Sequence, residues 1–157
     1  MTLQTNQNTS TDINLKVSDS SLQSIQSNLQ RLQSALEKKA HWLLRIALAS
    51  VFMFHGAGKL IMLEQSANML GLSFTVTLLV GLAEALGGLA LLVGPFTSQL
   101  ITRLGALALI PVMFGAIIIA HWGRWSFTPA EGYPMGGMEF QIVLALTAGY
   151  FLIRGNK

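Results

Sequence analysis

The sequence predicts an all-α integral membrane protein: a four-helix transmembrane bundle preceded by a cytoplasmic amphipathic helix. Three observations predict it. Of 157 residues, 52% are hydrophobic and only 11% charged, whereas soluble domains carry roughly 25% charged residues. The shortage is uneven, because the first forty residues are rich in Gln, Ser, Asn and Thr and the remainder in Leu, Ala, Ile, Val and Gly. The apolar residues beyond that boundary form four continuous runs, not alternating ones, which suits spanning helices better than barrel strands.

Residues 1–18 lack apolar periodicity and are expected to be disordered. From Ser18 or Asp19, both suitable N-caps, the pattern changes. Leu22, Ile25, Leu29, Leu32 and Leu36 alternate steps of three and four, an apolar stripe that predicts an amphipathic helix over 19–39. Such a helix can lie on the membrane or on its own bundle, or pair as a coiled coil with a partner or a copy. The membrane domain is expected over 40–157, with spans at about 40–63, 74–93, 99–122 and 138–153. A hydrocarbon core of about 30 Å needs roughly 20 helical residues, so the first three suffice and the fourth is short but adequate with flanking anchors. The connectors 64–73 and 94–98 are short, and 123–137, with Pro129, Pro134 and several Gly, predicts an irregular outer loop.

No charged start followed by a short apolar run and a small-residue cleavage site precedes Ala40, so the first run is expected to remain as an uncleaved anchor. Arg31, Lys38, Lys39, Arg103, Arg154 and Lys157 fall on one side of the predicted membrane, Lys59 and Arg124 on the other. The positive-inside tendency then puts both termini in the cytoplasm. The net charge of +3 comes from residues at the ends of apolar segments, not from an aromatic-interleaved patch, so nucleic acid is not an expected partner. The lipid bilayer is one, joined by a protein partner or a homo-oligomer. Zero Cys excludes a thiol nucleophile, a disulfide relay, an iron–sulfur cluster held by its own thiolates and a Cys-type zinc site.

Ionisable residues inside apolar spans tend to face the bundle and to pair. Arg45, His55 and Lys59 share a helix face within an arc of roughly 80°. Glu84 lies with Thr77, Gly81 and Gly88 on one seam, where small residues permit close helix approach. His121 ends the third run and Glu139 starts the fourth. Lys59, Glu84, His55, His121 and Glu139 are therefore expected to converge on one outward-opening pocket, able to exchange protons, bind an anion or orient a polar headgroup. Of these, Glu84, His55, His121 and Glu139 are the candidates for catalysis; Arg45 is a further binding candidate, or a residue that snorkels or neutralises a carboxylate. Arg103 and Arg154 are topology determinants. No HxxxH or ExxH pair puts two ligands on adjacent turns, and no metal site is expected. Gly56-Ala57-Gly58 beside Lys59 lacks phosphate-loop spacing.

The runs LLRIALASVFMFHGAGKL, GLAEALGGLALLVG, TRLGALALIPVMFGAIIIAHW and GGMEFQIVLALTAGYFLIRG resemble the four segments of the DoxX family in order, over about Leu43 to Gly155. The resemblance implies a small bacterial or archaeal inner-membrane protein of four transmembrane helices. It also implies a link to membrane oxidoreductase systems, named for a subunit associated with quinone-linked oxidation of sulfur compounds. By position Arg45, His55, Lys59, Glu84, His121 and Glu139 match the family's recurrent polar positions, without transferring a catalytic role. Three functions stay open: a membrane component of an oxidoreductase system with quinone as its cofactor, a non-enzymatic scaffold recruiting a partner through the N-terminal helix, and a small proton-coupled carrier.

Overall fold

A computed structural model describes the backbone of residues 4–156 and the side chains of residues 21–37 and 39–156. The protein is all-helical. In order come α1 (Gln4–Ile61), α2 (Leu63–Leu70), α3 (Phe74–Val93), α4 (Gln99–Ala116) and α5 (Glu139–Arg154), with a 3-10 turn at Gly94–Phe96 and a π-helical turn at Ile117–His121. Among the described residues, three stretches are long and apolar enough to cross a membrane: Ser21–Ile61, Phe74–Phe96 and Gln99–His121. At 16 residues, α5 is about 24 Å long, shorter than a hydrocarbon core of about 30 Å.

The described backbone is helical from Gln4, within the stretch 1–18 expected to be disordered, and residues 1–3 lie outside the described residues. The chain has no Gly or Pro before Gly56, so nothing in the polar stretch interrupts a helix. The connector 64–73 contains α2, which ends where Gly71 adopts a left-handed φ of 63° and its N–H reaches the carbonyls of Ala67 and Asn68.

The chain divides into two compact units, Met1–His41 and Trp42–Lys157. In the first, Leu22, Ile25, Leu29, Leu32 and Leu36 are each more than half exposed. Ser24, Ser27 and Ser34 donate to the carbonyls of Ser21, Ser24 and Arg31, one turn back, which satisfies these hydroxyls within the helix.

In the second unit, the buried face of α1 runs through Arg45, Leu48, Ala49, Phe52 and Gly56, the spacing of one helical face. It meets Leu91 of α3, Ala106, Leu109 and Met113 of α4, and Leu144, Ala148 and Phe151 of α5 in one core. Ser73 and Ser98 cap α3 and α4, their hydroxyls accepting from Val76 N and Ile101 N at 3.3 Å each. Small residues set the spacing between α1 and α3. A Cβ on Gly56 would lie 2.5 Å from Ala85 N and 2.8 Å from Gly81 O, so only glycine lets these backbones touch. The outward surface is also apolar, with Leu43, Phe54, Leu79, Leu86, Leu107, Ile118 and Leu146 all exposed, as expected for a helix bundle whose solvent is lipid.

Candidate functional site

The six candidate residues Arg45, His55, Lys59, Glu84, His121 and Glu139 fall into three clusters, with His55 bonded to none of them; Arg103, outside these clusters, donates to the Ile153 carbonyl at 3.1 Å. The first is built on Arg45, which is fully buried. Its Nη1 donates to the Leu91 carbonyl at 2.7 Å and to Thr102 Oγ1 at 3.2 Å. Its Nη2 donates to the Gly155 carbonyl at 2.7 Å and to Asn156 Oδ1 at 3.0 Å. The acceptors follow from local sequence. Pro95 stands four residues after Leu91 and has no N–H for that carbonyl, so the last turn of α3 presents an orphan acceptor. Gly155 caps the C-terminus of α5, and helix C-termini favour a cation. Asn156 closes the set: it accepts from Thr102 Oγ1 at 2.6 Å and donates to the Gly94 carbonyl at 2.9 Å. The guanidinium also lies 4.6 Å from the centre of the Phe151 ring. Arg45 therefore ties α1 to the ends of α3, α4 and α5 without a carboxylate partner among the described residues.

The second cluster is an ion pair. Lys59 Nζ donates to Glu84 Oε2 at 2.7 Å and Oε1 at 3.0 Å. Glu84 is 3% exposed at the middle of α3, and the Lys59 side chain is 18% exposed. Gly81, one turn before Glu84, accommodates the Lys59 stem: a Cβ there would lie 3.3 Å from Lys59 Cβ.

The third cluster lies where α4 ends and α5 begins. His121 closes the π-helical turn, and its Nδ1 is 3.1 Å from the Gly136 carbonyl. A carbonyl only accepts, so Nδ1 carries the proton and Nε2 accepts from the Gln141 amide at 2.9 Å. Gln141 Oε1 is buried with no hydrogen-bond partner. The adjoining loop pairs with the start of α5, as Gly137, Met138 and Glu139 donate from their backbone to Ser126, Arg124 and Trp125. Gly136 holds a φ of +74°, and a Cβ there would collide with the Phe127 carbonyl, so the turn that presents its carbonyl to His121 requires glycine. Glu139 accepts from Phe127 N at 3.3 Å.

His55 stands apart. It is exposed on the apolar surface of α1, and its ring makes an edge contact with Phe54, centroids 5.6 Å apart; no hydrogen bond holds it among the described residues. Among those residues no hydrogen bond or ion pair joins Lys59 and Glu84 to His121, Glu139 or His55, so the polar row is not one bonded network. His55 and Lys59 are nevertheless one turn apart on α1, close enough for their side chains to meet.

Sequence reasoning overlooked Thr102, Gln141 and Asn156, because it searched the apolar runs for ionisable side chains and passed over neutral ones. A Gln two residues beyond Glu139 inside an apolar run was the available signal. No group of three or more His, Cys, Asp or Glu able to hold a metal occurs among the described residues.

No curated protein and no solved structure matches the chain. The family model described as DoxX matches residues 40–122, from the start of the first apolar run through His121 and Trp122 and over more than half of the sequence. Arg45, Lys59, Glu84 and His121, the anchors of all three clusters, fall inside the matched stretch, and on that match the chain belongs to the DoxX family.

Proposed function

We propose that the protein is the membrane component of a quinone-linked oxidoreductase system in the bacterial inner membrane, crossing four times with both termini in the cytoplasm. The observation that carries the proposal is the Lys59–Glu84 ion pair, with Glu84 only 3% exposed at the centre of an apolar helix. Charges so placed are costly in lipid and mark proton or ligand pathways. The membrane-oxidoreductase resemblance of the family supplies the reaction class.

The residues present suit a quinone ring. Such a group is lipophilic, enters from the bilayer and needs donors at its carbonyl oxygens. His55 offers ring nitrogens with no hydrogen bond among the described residues, on a surface beside Phe54, which is 77% exposed and presents an aromatic face. When bound, a quinone accepts two electrons and two protons from donors that this Cys-free chain does not itself carry. In this reading the imidazole of His55 would hold the ring by donating to a carbonyl oxygen. Lys59, one turn away, would place a cationic donor beside His55, with Glu84 fixing the position of its ammonium. His121, Gln141 and Glu139 hold the 123–138 loop to the ends of α4 and α5.

Decylubiquinone titrated into protein in lipid nanodiscs, followed by quenching of Trp fluorescence, tests the reading. Saturable binding, weakened at least tenfold in His55→Ala and less in His55→Gln, is the expected result. Absence of saturable binding to the unaltered chain, or unchanged affinity in His55→Ala, overturns it.

A further inference from the structure

We propose that the N-terminal stripe is a self-association seam, forming a parallel coiled coil between copies of this chain. Leu22, Ile25, Leu29, Leu32 and Leu36 follow steps of three, four, three and four, on described α-helix throughout, and all are more than half exposed. That spacing is the 3.5-residue repeat that another helix of the same kind matches, narrower than the apolar face of a helix lying in a lipid surface. With Leu22, Leu29 and Leu36 as the first core position and Ile25 and Leu32 as the second, the residues flanking the seam are Ser21, Gln26, Asn28, Gln33 and Ala35.

None of these flanking residues is charged. Coiled coils select unlike partners through charges at those positions; a neutral flank favours no oppositely charged partner and repels no identical one. Membrane-surface helices instead carry Lys and Arg on the polar face. Between Ser21 and Leu36 the only charged residue is Arg31, and it lies away from the seam. The next core position is Lys39, which ends the seam. Copies inserted in one membrane share an orientation, so their stripes meet in parallel and in register. Two heptads are marginal in solution; confinement to a membrane raises the effective concentration that such a short seam requires.

The chain contains no Cys, so single-cysteine variants of the full-length protein report the seam directly. Leu29→Cys and Leu32→Cys are compared with Ser27→Cys and Ser34→Cys on the opposite face after copper-phenanthroline oxidation in isolated membranes. The proposal expects disulfide-linked dimers of the chain at least fivefold more abundant at 29 and 32. Equal yields at all four positions, no dimers, or adducts to other proteins overturn it. Because a cysteine can itself weaken a short seam, Leu29→Glu combined with Leu32→Glu is measured by energy transfer between donor- and acceptor-labelled copies of the chain reconstituted in one lipid vesicle. The unaltered chain should show transfer above the level of random crowding and the double variant less; transfer at the random level in the parent, or equal transfer in both, overturns the proposal.

Discussion

Two basic side chains on the same helix do opposite things with their charge. Both terminal nitrogens of Arg45 are held by neutral acceptors gathered from three helix ends, while its buried Nε has no hydrogen-bond partner among the described residues, an arrangement suited to a planar guanidinium and not to an ammonium. Arg45→Met takes the guanidinium from the Leu91 and Gly155 carbonyls in an apolar interior, while Thr102 and Asn156 keep each other; a buried acceptor left without its donor costs roughly 1–3 kcal/mol. We expect thermal unfolding in detergent to fall sharply, with Arg45→Lys between the two, and an unchanged midpoint for Arg45→Met would refute this role. Lys59 and Glu84 balance each other instead. Glu84→Leu alone leaves a partly buried ammonium without its partner and should destabilise strongly, whereas Lys59→Met with Glu84→Leu should recover much of the loss. A double variant that folds yet loses decylubiquinone reduction in the assembled system separates function from packing, while one no more stable than either single variant removes the claim that the two act as a pair. The positions of Arg45, Lys59 and Glu84 were legible in the sequence because charge inside an apolar run is conspicuous. Their partners were not: nothing local links Arg45 to Asn156, 111 residues away, and although Pro95 frees the Leu91 carbonyl locally, only the packing of α3 against α1 brings Arg45 to it.

Helix packing depends on where a side chain is absent. Gly56 and Gly58 are two residues apart, yet a Cβ on Gly56 meets the backbone of Ala85 and Gly81, whereas one on Gly58 meets nothing within 4 Å. Backbone cannot step aside as a flexible side chain can, so Gly56→Ala should cost about 1–3 kcal/mol and shift α1 away from the α3 carboxylate. Gly58→Ala should be neutral or stabilising by up to about 1 kcal/mol, since alanine is the better helix former. The comparison uses thermal midpoints of the two variants, and equal effects would show that α1 and α3 do not pack as described. The long helices were readable because an apolar run of that length in lipid has few alternatives to a helix. The short α2 and the π-helical turn at Ile117–His121 were not readable, since each depends on packing and loop hydrogen bonds rather than on hydropathy. The same holds for the site: a row of polar residues on compatible faces could be read from spacing, but its division among separate partners depends on geometry that spacing does not encode.

At the scale of the molecule, the number of membrane crossings turns on α5. Its 16 residues are too short to match a full hydrocarbon core without anchors, yet Phe151, Ala148 and Leu144 are buried in the same core as the apolar faces of α1, α3 and α4. Its ends carry suitable anchors: Glu139 and the exposed Trp125 and Trp122 belong to one end, Arg154 to the other, and flanking polar and aromatic groups let a short helix span by local thinning of the bilayer. If α5 crosses, residues before α1's apolar part and residues after Arg154 lie on one side, with the 123–138 loop opposite. The absence of native cysteine makes this measurable with a membrane-impermeant maleimide applied to intact spheroplasts. Ser27→Cys and a cysteine appended after residue 157 should both resist labelling until the membrane is permeabilised, while Glu131→Cys, exposed in the loop, should label at once. Labelling of the appended cysteine together with Glu131→Cys would mean three crossings and would put Gly155 and Asn156 on the side of the membrane away from Arg45, which would refute both the fourth crossing and the Arg45 clamp.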